Sequence, residues 1–327
     1  MKKQVTWSWL LLCIFLFAAC EKPVLESSDS NKKSKEKNKL TRVIRILPKE
    51  LSVETFEESM GAKEQPFTRA SSTSRFYAIN VYEKKPNDEG YSMYAYGLFT
   101  SLSKIALKMN VESLYKVECL IVEEKDDKLF VSDGVYSAPF FHGNNYGTKA
   151  TNSFVFSKEE NFTGLKAGAT TIADGKVVNH PRVVKLYGTV SDFSPKATNT
   201  LPINMRRAVF GLHFKITPPE EGKLTVSYLG WYVYVTKASA AYENRKIYSF
   251  DDIEKGSQEG YQTQVDMQIT WTKDDGTNEK ETKQVVLKRN VMTVIEIKVE
   301  GQKPHGFTFN EESGDMKTEN VEWNLIF

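Results

Sequence analysis

The sequence predicts an all-β protein made of two β-sandwich domains in series behind a flexible N-terminal segment. Three observations favour this fold class. Many short runs alternate apolar and polar residues with a period of two, which is typical of half-buried strands. No stretch keeps a helical period over three turns, and strands do not alternate with helices as they do in α/β folds. The length of 327 residues is enough for two domains of about 100–200 residues each.

The first 20 residues have the features of a secretory signal. Two lysines precede an apolar run over residues 7–17, and the sequence FAAC then ends at Cys20. This ending resembles a bacterial lipobox, although leucine is commoner than phenylalanine at its first position. The resemblance implies that residues 1–19 are a lipoprotein signal peptide and that Cys20 becomes the diacylated N-terminus. An ordinary signal peptide is the alternative, and a transmembrane helix would need a longer run of about 20 residues.

Residues 20–40 contain almost no core-forming side chains, so we predict that they are a lipid-anchored flexible linker. Residues 21–45 carry eight Lys/Arg against four Asp/Glu, whereas the whole chain carries 44 Lys+Arg and 42 Asp+Glu. The body of the chain after this segment therefore has a small negative net charge. That balance argues against nucleic acid as a partner, because nucleic-acid-binding domains are basic.

The N-terminal domain is predicted over residues 41–197. Residues 48–73 are polar, residues 133–182 are rich in Gly and Asn, and both are expected to be largely loop. The domain boundary is placed where Ser194-Pro195 begins a polar stretch. Strands are predicted over residues 42–47, 76–82, 93–99, 105–109, 115–122, 154–156 and 183–190.

The C-terminal domain is predicted over residues 198–327 and alternates more clearly. Asp275-Gly276 is typical of a hairpin turn. Residues 237–258 include helix formers, but their polar content and Gly256 favour a loop with one short helix. Strands are predicted over residues 205–216, 224–228, 231–235, 265–271, 284–287, 291–299 and 323–327.

The familiar catalytic signatures do not occur in the sequence. It has no GxSxG elbow, HExxH motif, P-loop or GxGxxG fingerprint. The four histidines are far apart, and none has a His or Cys at metal-ligand spacing. Cys119 lies in an alternating strand and is expected to be a small core residue, with no disulfide partner if Cys20 is lipidated. We therefore predict a protein that is not an enzyme and that uses no metal or cofactor.

Aromatic residues offer a different chemistry, because exposed rings can stack on sugars. Aromatic side chains cluster over residues 91–99 and 231–234. Such residues also fill strand positions by preference, so burial in the core is the alternative. A further group, Phe140, Phe141 and Tyr146, lies in the Gly- and Asn-rich segment. It forms either a binding loop or a loop folded onto its own sandwich.

Three stretches, taken in order, resemble the fimbrillin-like lipoproteins of Bacteroides-type bacteria, a superfamily of pilus subunits, anchors and adhesins. RFYAINVY (75–82) with YAYGLF (94–99) is similar to their first-domain hairpin. MRRAVFGLHF (205–214) is similar to the strand that opens their second domain, and LKRNVMTVIEI (287–297) to a late strand. The resemblance implies two transthyretin-like antiparallel sandwiches and a role in surface fibres or adhesion.

The resemblance also implies a way of assembling. In some members, an arginine-specific protease removes the lipid and the first strand, and a strand from another subunit fills the groove. Arg42 and Arg45, at the first predicted strand, are the candidates for such processing. Residues 323–327 are either a donor strand or the last strand of the second domain. Without cleavage, the chain would stay lipid-anchored as a basal anchor, a tip subunit or a stand-alone adhesin.

The predicted function is therefore that of a fimbrial subunit, anchor or adhesin that is lipid-anchored in the outer membrane and assembles by strand addition. Its predicted partners are other fimbrial subunits or a ligand on a host or bacterial surface. The alternative is a stand-alone glycan-binding lipoprotein of the outer membrane that uses the aromatic clusters. A hydrolase would need a concave site with converging acid and base groups.

Overall fold

The computed structural model describes residues 40–50, 74–124, 129–142, 145–166, 183–298, 305–307, 317–319 and 323–325. Strands account for most of these residues, so the predicted all-β fold class is confirmed. They belong to one compact unit, Lys39–Phe327. Cys20 and the predicted signal peptide lie outside the described residues.

The N-terminal half is organised around an eight-stranded sheet, whose order is β4-β1-β11-β10-β5-β2-β3-β9, and a three-stranded sheet, β6-β7-β8. The strands are β1 (Thr41–Glu50), β2 (Ser74–Lys84), β3 (Ser92–Phe99), β4 (Ala106–Asn110), β5 (Leu114–Glu124), β6 (Phe130–Ser132), β7 (Val135–His142), β8 (Asn145–Lys149), β9 (Phe154–Phe156), β10 (Val184–Phe193) and β11 (Thr200–Arg207).

The eight-stranded sheet curls around a hydrophobic cluster that we call the first core. Ile44 of β1, Leu107 of β4 and Phe99 of β3 are all buried in this cluster, although they come from opposite ends of the strand order. Because alternate residues of a strand point to opposite faces, every second side chain of the central strands β10, β5 and β2 lies in the first core.

The other face of the central strands is also buried, in a second core. Phe76 and Leu120 point into it from β2 and β5, and Phe140 and Phe162 cover them from the segment that follows β6. The central strands therefore have continuous buried runs, such as residues 76–81 of β2. We call the covering segment, whose buried residues extend from Leu129 to Leu165, the covering layer. It contains β7 and β8, whereas the sequence predicts loop over most of residues 133–182.

The C-terminal half is a sandwich of two four-stranded sheets, β15-β12-β18-β20 and β14-β13-β16-β17, around a third core. Its elements are β12 (Val209–Ile216), β13 (Lys223–Tyr228), β14 (Trp231–Thr236), β15 (Tyr242–Ser249), α1 (Ile253–Gly256), β16 (Gln262–Thr272), β17 (Asn278–Lys288), β18 (Val291–Ile297), β19 (His305–Phe307), β20 (Lys317–Glu319) and β21 (Trp323–Leu325). β19 pairs with β21, which agrees with a last strand near residue 323.

The sheets are mixed rather than purely antiparallel, which corrects one part of the predicted fold. β1 runs parallel to β11, and β18 runs parallel to both β12 and β20. The remaining pairs in the described part of the chain are antiparallel. The alternation of apolar and polar residues reveals a buried face, but it carries no information about the direction of the neighbouring strand.

The predicted single strand over residues 205–216 is two strands in different sandwiches. β11 pairs with β1 and β10, and its Leu201 and Ile203 are buried in the first core. β12 contributes Phe214 to the third core. The chain passes from one sandwich to the other at the buried Ala208, whereas the predicted boundary between residues 197 and 198 would place β11 with the C-terminal domain.

Polar and apolar contacts join the two sandwiches where α1 meets the second core. Ile253 is fully buried there, and its N–H donates to the carbonyl oxygen of Lys166 over 2.9 Å. The ammonium group of Lys166 contacts Glu118 of β5 at 3.0 Å and Glu254 of α1 at 2.9 Å. Glu118 also pairs with Lys116 at 2.8 Å, so the interface combines a buried apolar side chain with a four-residue ion network.

Candidate functional site

β1 lies between β4 and β11, and it changes partner at Arg45. Residues 41–45 pair antiparallel with β4, where Arg45 is opposite Ala106. Residues 45–50 pair in parallel with β11, where Arg45 is opposite Thr200. The first half of β1 therefore pairs mainly with β4, and the second half pairs mainly with β11. Ile44, just before the change of partner, is fully buried in the first core.

The two candidate processing residues are both exposed, but their contacts differ. The Arg42 guanidinium donates hydrogen bonds to the carbonyl oxygens of Pro195 at 2.9 Å and Lys196 at 3.0 Å. These bonds hold the start of β1 against the turn that precedes β11. At Arg45, the backbone N–H donates to the carbonyl oxygen of Asn199 at 2.9 Å. Both arginines lie within a hydrogen-bonded strand, so a protease would need this strand to open locally.

The predicted binding loop around Phe140 is part of the covering layer. Phe140 is fully buried, and its ring centre lies 5.6 Å from that of Phe76. This corrects the prediction for Phe140, because a core ring cannot stack on an external ligand. Phe141 is half-buried in β7, and Tyr146 belongs to β8. For these two residues, a role in binding stays a prediction.

The covering layer also borders an open pocket of about 190 Å³. Tyr96 and His142 line this pocket, and both contact Glu160. The Tyr96 hydroxyl donates to Glu160 at 3.1 Å and lies 3.4 Å from Nδ1 of His142. Nδ1 of His142 is also 3.3 Å from Glu160. Burial, together with the Glu160 carboxylate, raises the pKa of Tyr96 to about 12. Tyr96 therefore stays protonated at neutral pH and acts as a hydrogen-bond donor rather than a nucleophile.

Sequence reasoning missed this polar group. Tyr96 belongs to β3, His142 ends β7, and Glu160 lies in the turn after β9. The three residues are spread over 65 positions of sequence with no shared spacing. Only the folding of the covering layer onto β3 brings them together.

The two aromatic clusters differ in exposure. In the first, Tyr96 and Phe99 are buried, which agrees with the core alternative. In the second, Tyr232 and Tyr234 are 69% and 61% exposed on the outer face of the C-terminal sandwich. Beside them on the same face, Ser227 is opposite Tyr232, and Thr225 is opposite Tyr234. The two tyrosine rings can stack on a planar ligand, and the hydroxyl groups of Thr225 and Ser227 beside them can hydrogen-bond to it.

The remaining candidates for reactive chemistry are Cys119 and possible metal-binding groups. Cys119 is fully buried, and burial raises the pKa of its thiol. Within the described ranges, no group of three or more His, Cys, Asp or Glu side chains is arranged to hold a metal ion. In the same part of the chain, no helix has the length and apolar character needed to cross a membrane.

Comparisons with known proteins give matches only among solved structures. No family model matches the sequence, and a search of curated proteins finds no match. A candidate cell adhesion protein from Bacteroides eggerthii DSM 20697 is 7% identical, with a TM-score of 0.33; the match covers 79% of this chain and 85% of that one. The fimbrial anchor protein Mfa2 from Porphyromonas gingivalis is 11% identical, with a TM-score of 0.35 and coverage of 87% and 97%.

A third similar structure is that of candidate polysaccharide-binding proteins from Bacteroides thetaiotaomicron VPI-5482. It is 11% identical and has a TM-score of 0.31, and the match covers 69% of this chain and 84% of that one. The solved structures that resemble this chain thus include proteins named for cell adhesion, fimbrial anchoring and polysaccharide binding.

Proposed function

We propose that this chain is a cell-surface lipoprotein that serves as a fimbrial subunit, anchor or adhesin and assembles by addition of a β-strand. In this proposal Cys20 carries the lipid, and the outer membrane holds the chain until it is processed or incorporated. The partners are other fimbrial subunits or a ligand on a neighbouring surface. The observation that carries the proposal is the change of partner of β1 at Arg45.

Cleavage after Arg45 would divide β1 at the junction between its two ladders. Residues 46–50 keep their pairing with β11, while residues 41–45 are released from β4. The release exposes the hydrogen-bonding edge of β4 and empties the position of Ile44 in the first core. A strand from another subunit can pair with this edge and place an apolar side chain in the vacated position. Cleavage after Arg42 would release only the first residues of β1 and leave Ile44 in place.

The test is made on native cells, with Arg45→Ala and Arg42→Ala as a matched pair. Surface material is removed by shear, kept unboiled and separated on an SDS gel that is probed for this chain. We expect a ladder of high-mass species whose chains begin at Ile46, and we expect Arg45→Ala to abolish the ladder while Arg42→Ala retains it. Both side chains are exposed, so neither change removes a core contact.

Two outcomes would contradict processing at Arg45. One is a ladder that survives Arg45→Ala with an unchanged N-terminus. The other is a single monomer band that stays with the membranes of unmodified cells, which would mean a lipid-anchored anchor or a stand-alone binder. In the second case, ligand screens would follow.

Binding of glycans is the second candidate function, and the exposed pair Tyr232 and Tyr234 favours it. Their exposed rings lie on the outer sheet face, where Thr225 is opposite Tyr234 and Ser227 is opposite Tyr232. A glycan array with the unmodified chain and with Tyr232→Ser/Tyr234→Ser tests it. Binding that the double variant loses supports a tyrosine platform, and an array without any signal from the unmodified chain contradicts it.

A further inference from the structure

The edges of the C-terminal sandwich are protected unequally. β15 carries Glu243, Arg245 and Lys246, and five of the eleven residues of β17 are charged. β14 has the sequence WYVYVT and carries no charge from Trp231 to Thr236. Charged side chains on an edge strand normally prevent it from pairing with another chain. β14 is a sheet edge in the described part of the chain, and it lacks this protection.

The hairpin that joins β13 to β14 determines which backbone groups of β14 point outward. Leu229 and Gly230 form a two-residue turn with φ angles of 46° and 72°, which is the pattern of a type I′ turn. Tyr228 and Trp231, on either side of the turn, are therefore a hydrogen-bonded pair. Because such pairs alternate, the N–H and C=O groups of Tyr232 and Tyr234 point away from β13.

The next outward group along β14 confirms the alternation. The N–H of Thr236 points away from β13 and donates to the hydroxyl oxygen of Ser239 at 3.0 Å. The far end of the outward edge is thus already occupied within the chain. The groups that remain for a new strand are those of Tyr232 and Tyr234, which are centred on Val233.

We propose that β14 pairs with β14 of a second copy of this chain, antiparallel and about a two-fold axis through Val233. In this register Tyr232 lies opposite Tyr234 of the second copy, and Tyr234 lies opposite Tyr232 of that copy. Each of these pairs can exchange two backbone hydrogen bonds, because all four outward groups face one another. On the outer face the pairing joins tyrosine to tyrosine, and on the inner face it joins Val233 to Val233.

A second copy is favoured over an unrelated strand because the edge complements itself. Directly opposite aromatic pairs stabilise an antiparallel ladder, and both outer pairs are of this kind. The charged edges β15 and β17 would instead bring charged residues of two copies close together. The contact is short and belongs to the small, transient interfaces that bury less than about 1,200 Å² in total. Confinement of many copies to one surface, as in the proposed function, would raise its occupancy, but the pairing geometry does not depend on that confinement.

Cysteine cross-linking tests the register directly. The experiment uses the purified full-length chain with Cys13 and Cys20 replaced by serine, under mild oxidation. Opposite residues in an antiparallel pair have Cα atoms about 4.5–5.5 Å apart, within the range that a disulfide can bridge. We expect Val233→Cys to form dimers alone. We expect Tyr232→Cys and Tyr234→Cys to form them efficiently only when the two variants are mixed.

Charge variants then separate strand pairing from any other use of the tyrosines. In the Val233→Cys chain, Tyr232→Lys/Tyr234→Lys places lysine opposite lysine twice, and we expect about a tenfold loss of cross-linked dimer. Tyr232→Lys/Tyr234→Glu places lysine opposite glutamate twice, and we expect the yield to stay within about twofold of the parent. Both double variants lack the rings, so a stacking surface predicts the same loss for both.

Three results would overturn the proposal. The first is no dimer with Val233→Cys in a chain that circular dichroism shows to be folded. The second is an equal yield from Thr282→Cys, which places the thiol on β17 at the opposite edge of the same sheet. The third is an equal loss in the two charge variants, which would mean that contacts of the tyrosine rings, rather than pairing of β14 in this register, hold the two copies together. None of these results bears on cleavage at Arg45, so the proposed function is tested separately.

Discussion

The central sheet of the N-terminal half and the β14-β13-β16-β17 sheet of the C-terminal half show two ways of burying strands. In the first, both faces are covered, and residues 119–122 of β5 form a continuous buried run. In the second, one face is covered and the other is open, so that Met267, Ile269 and Trp271 of β16 are buried at alternate positions. The difference shows that strict alternation marks a sheet with one open face, while its loss in mid-strand marks a second covering layer.

A buried polar contact joins the covering layer to the central sheet. The side chain of Asn80 lies in the middle of β2 and is almost fully buried. Its amide nitrogen donates to the carbonyl oxygen of Phe162 at 2.9 Å, and its carbonyl oxygen accepts the Phe162 N–H at 2.9 Å. One side chain thus satisfies both backbone groups of a residue in the covering layer. The described outer residues of the C-terminal sheet instead include exposed amide, tyrosine and charged side chains, such as Gln268, Tyr232 and Asp266.

The largest effect is expected from removing a ring between the two layers. Phe140→Ala should lower the free energy of unfolding by about 3–5 kcal/mol, because it deletes a fully buried aromatic side chain and leaves a cavity. Chemical denaturation monitored by circular dichroism measures the change. The matched control is Tyr232→Ala, which removes an exposed ring and should cost less than about 1 kcal/mol. A similar loss in both variants would mean that the covering layer contributes no more than a surface residue.

The next effect is expected at the polar contact. Asn80→Ala leaves the N–H and C=O of Phe162 without their partner, and each buried unsatisfied group costs about 1–3 kcal/mol. In this variant, amide hydrogen exchange should become faster at Phe162 and its neighbours but not in β16, because only the covering layer is loosened. Gln268→Ala, on the open face of β16, is the control and should leave exchange unchanged. Equal protection of Phe162 in the variant would contradict the role of Asn80 in holding the layer.

A pH-dependent effect is expected from the ion network at the end of the covering layer. Burial alone would raise the pKa of Glu118, but hydrogen bonds from Lys116 and Lys166 outweigh it and lower that pKa below its usual value. The carboxylate therefore adds stability at pH values above its ordinary pKa, and this contribution is lost as the pH falls through the lowered pKa.

Glu118→Gln should cost about 1–2 kcal/mol at pH 7, since both lysines are partly exposed. The difference from the unmodified chain should be constant between pH 7 and about pH 5 and should shrink below about pH 4. Denaturation curves at a series of pH values give this profile. Glu89→Gln, which changes an exposed carboxylate in the turn between β2 and β3, controls for general charge effects. A difference that grows on acidification would contradict a lowered pKa at Glu118.

The sequence was sufficient for most strands of the first and third cores but not for the covering layer. Residues 265–271 alternate, and the structure has β16 there with the predicted face buried. The segment from Phe130 to Leu165 shows no sustained period, because its residues cover another sheet instead of forming a sandwich face of their own. Its apolar side chains are evident in the sequence, but they pack in large part on residues of β2 and β3, such as Phe76 and Leu98, which lie more than 30 positions earlier.

For the candidate sites, too, the sequence shows which residues are present, but the contacts between distant segments appear only in the structure. Arg42 and Arg45 were selected from their place near the first strand, but only the pairing shows that β1 changes partner at Arg45. β15 was missed because five of its eight residues are polar or charged, and this edge strand has few buried side chains. Tyr232 and Tyr234 are exposed because no described element covers the outer face of their sheet. The local sequence pattern does not reveal whether a sheet face is covered.

The smallest effect is expected on the open face, and it distinguishes exposed aromatic residues kept for binding from those that stabilise the fold. Tyr232→Ser/Tyr234→Ser should change the free energy of unfolding by only about 0.5 kcal/mol per residue, because both rings are mostly exposed and no described aromatic ring stacks on them. Denaturation curves measure this change beside a test of surface adhesion with the same variant. Tyr94→Ser provides the comparison, because Tyr94 contacts Tyr115 and Phe156 and is held in the N-terminal half. If the exposed pair contributes as much stability as Tyr94, the rings are part of the fold. If stability is unchanged and adhesion is lost, the open face of the C-terminal sheet is where this chain meets its partner.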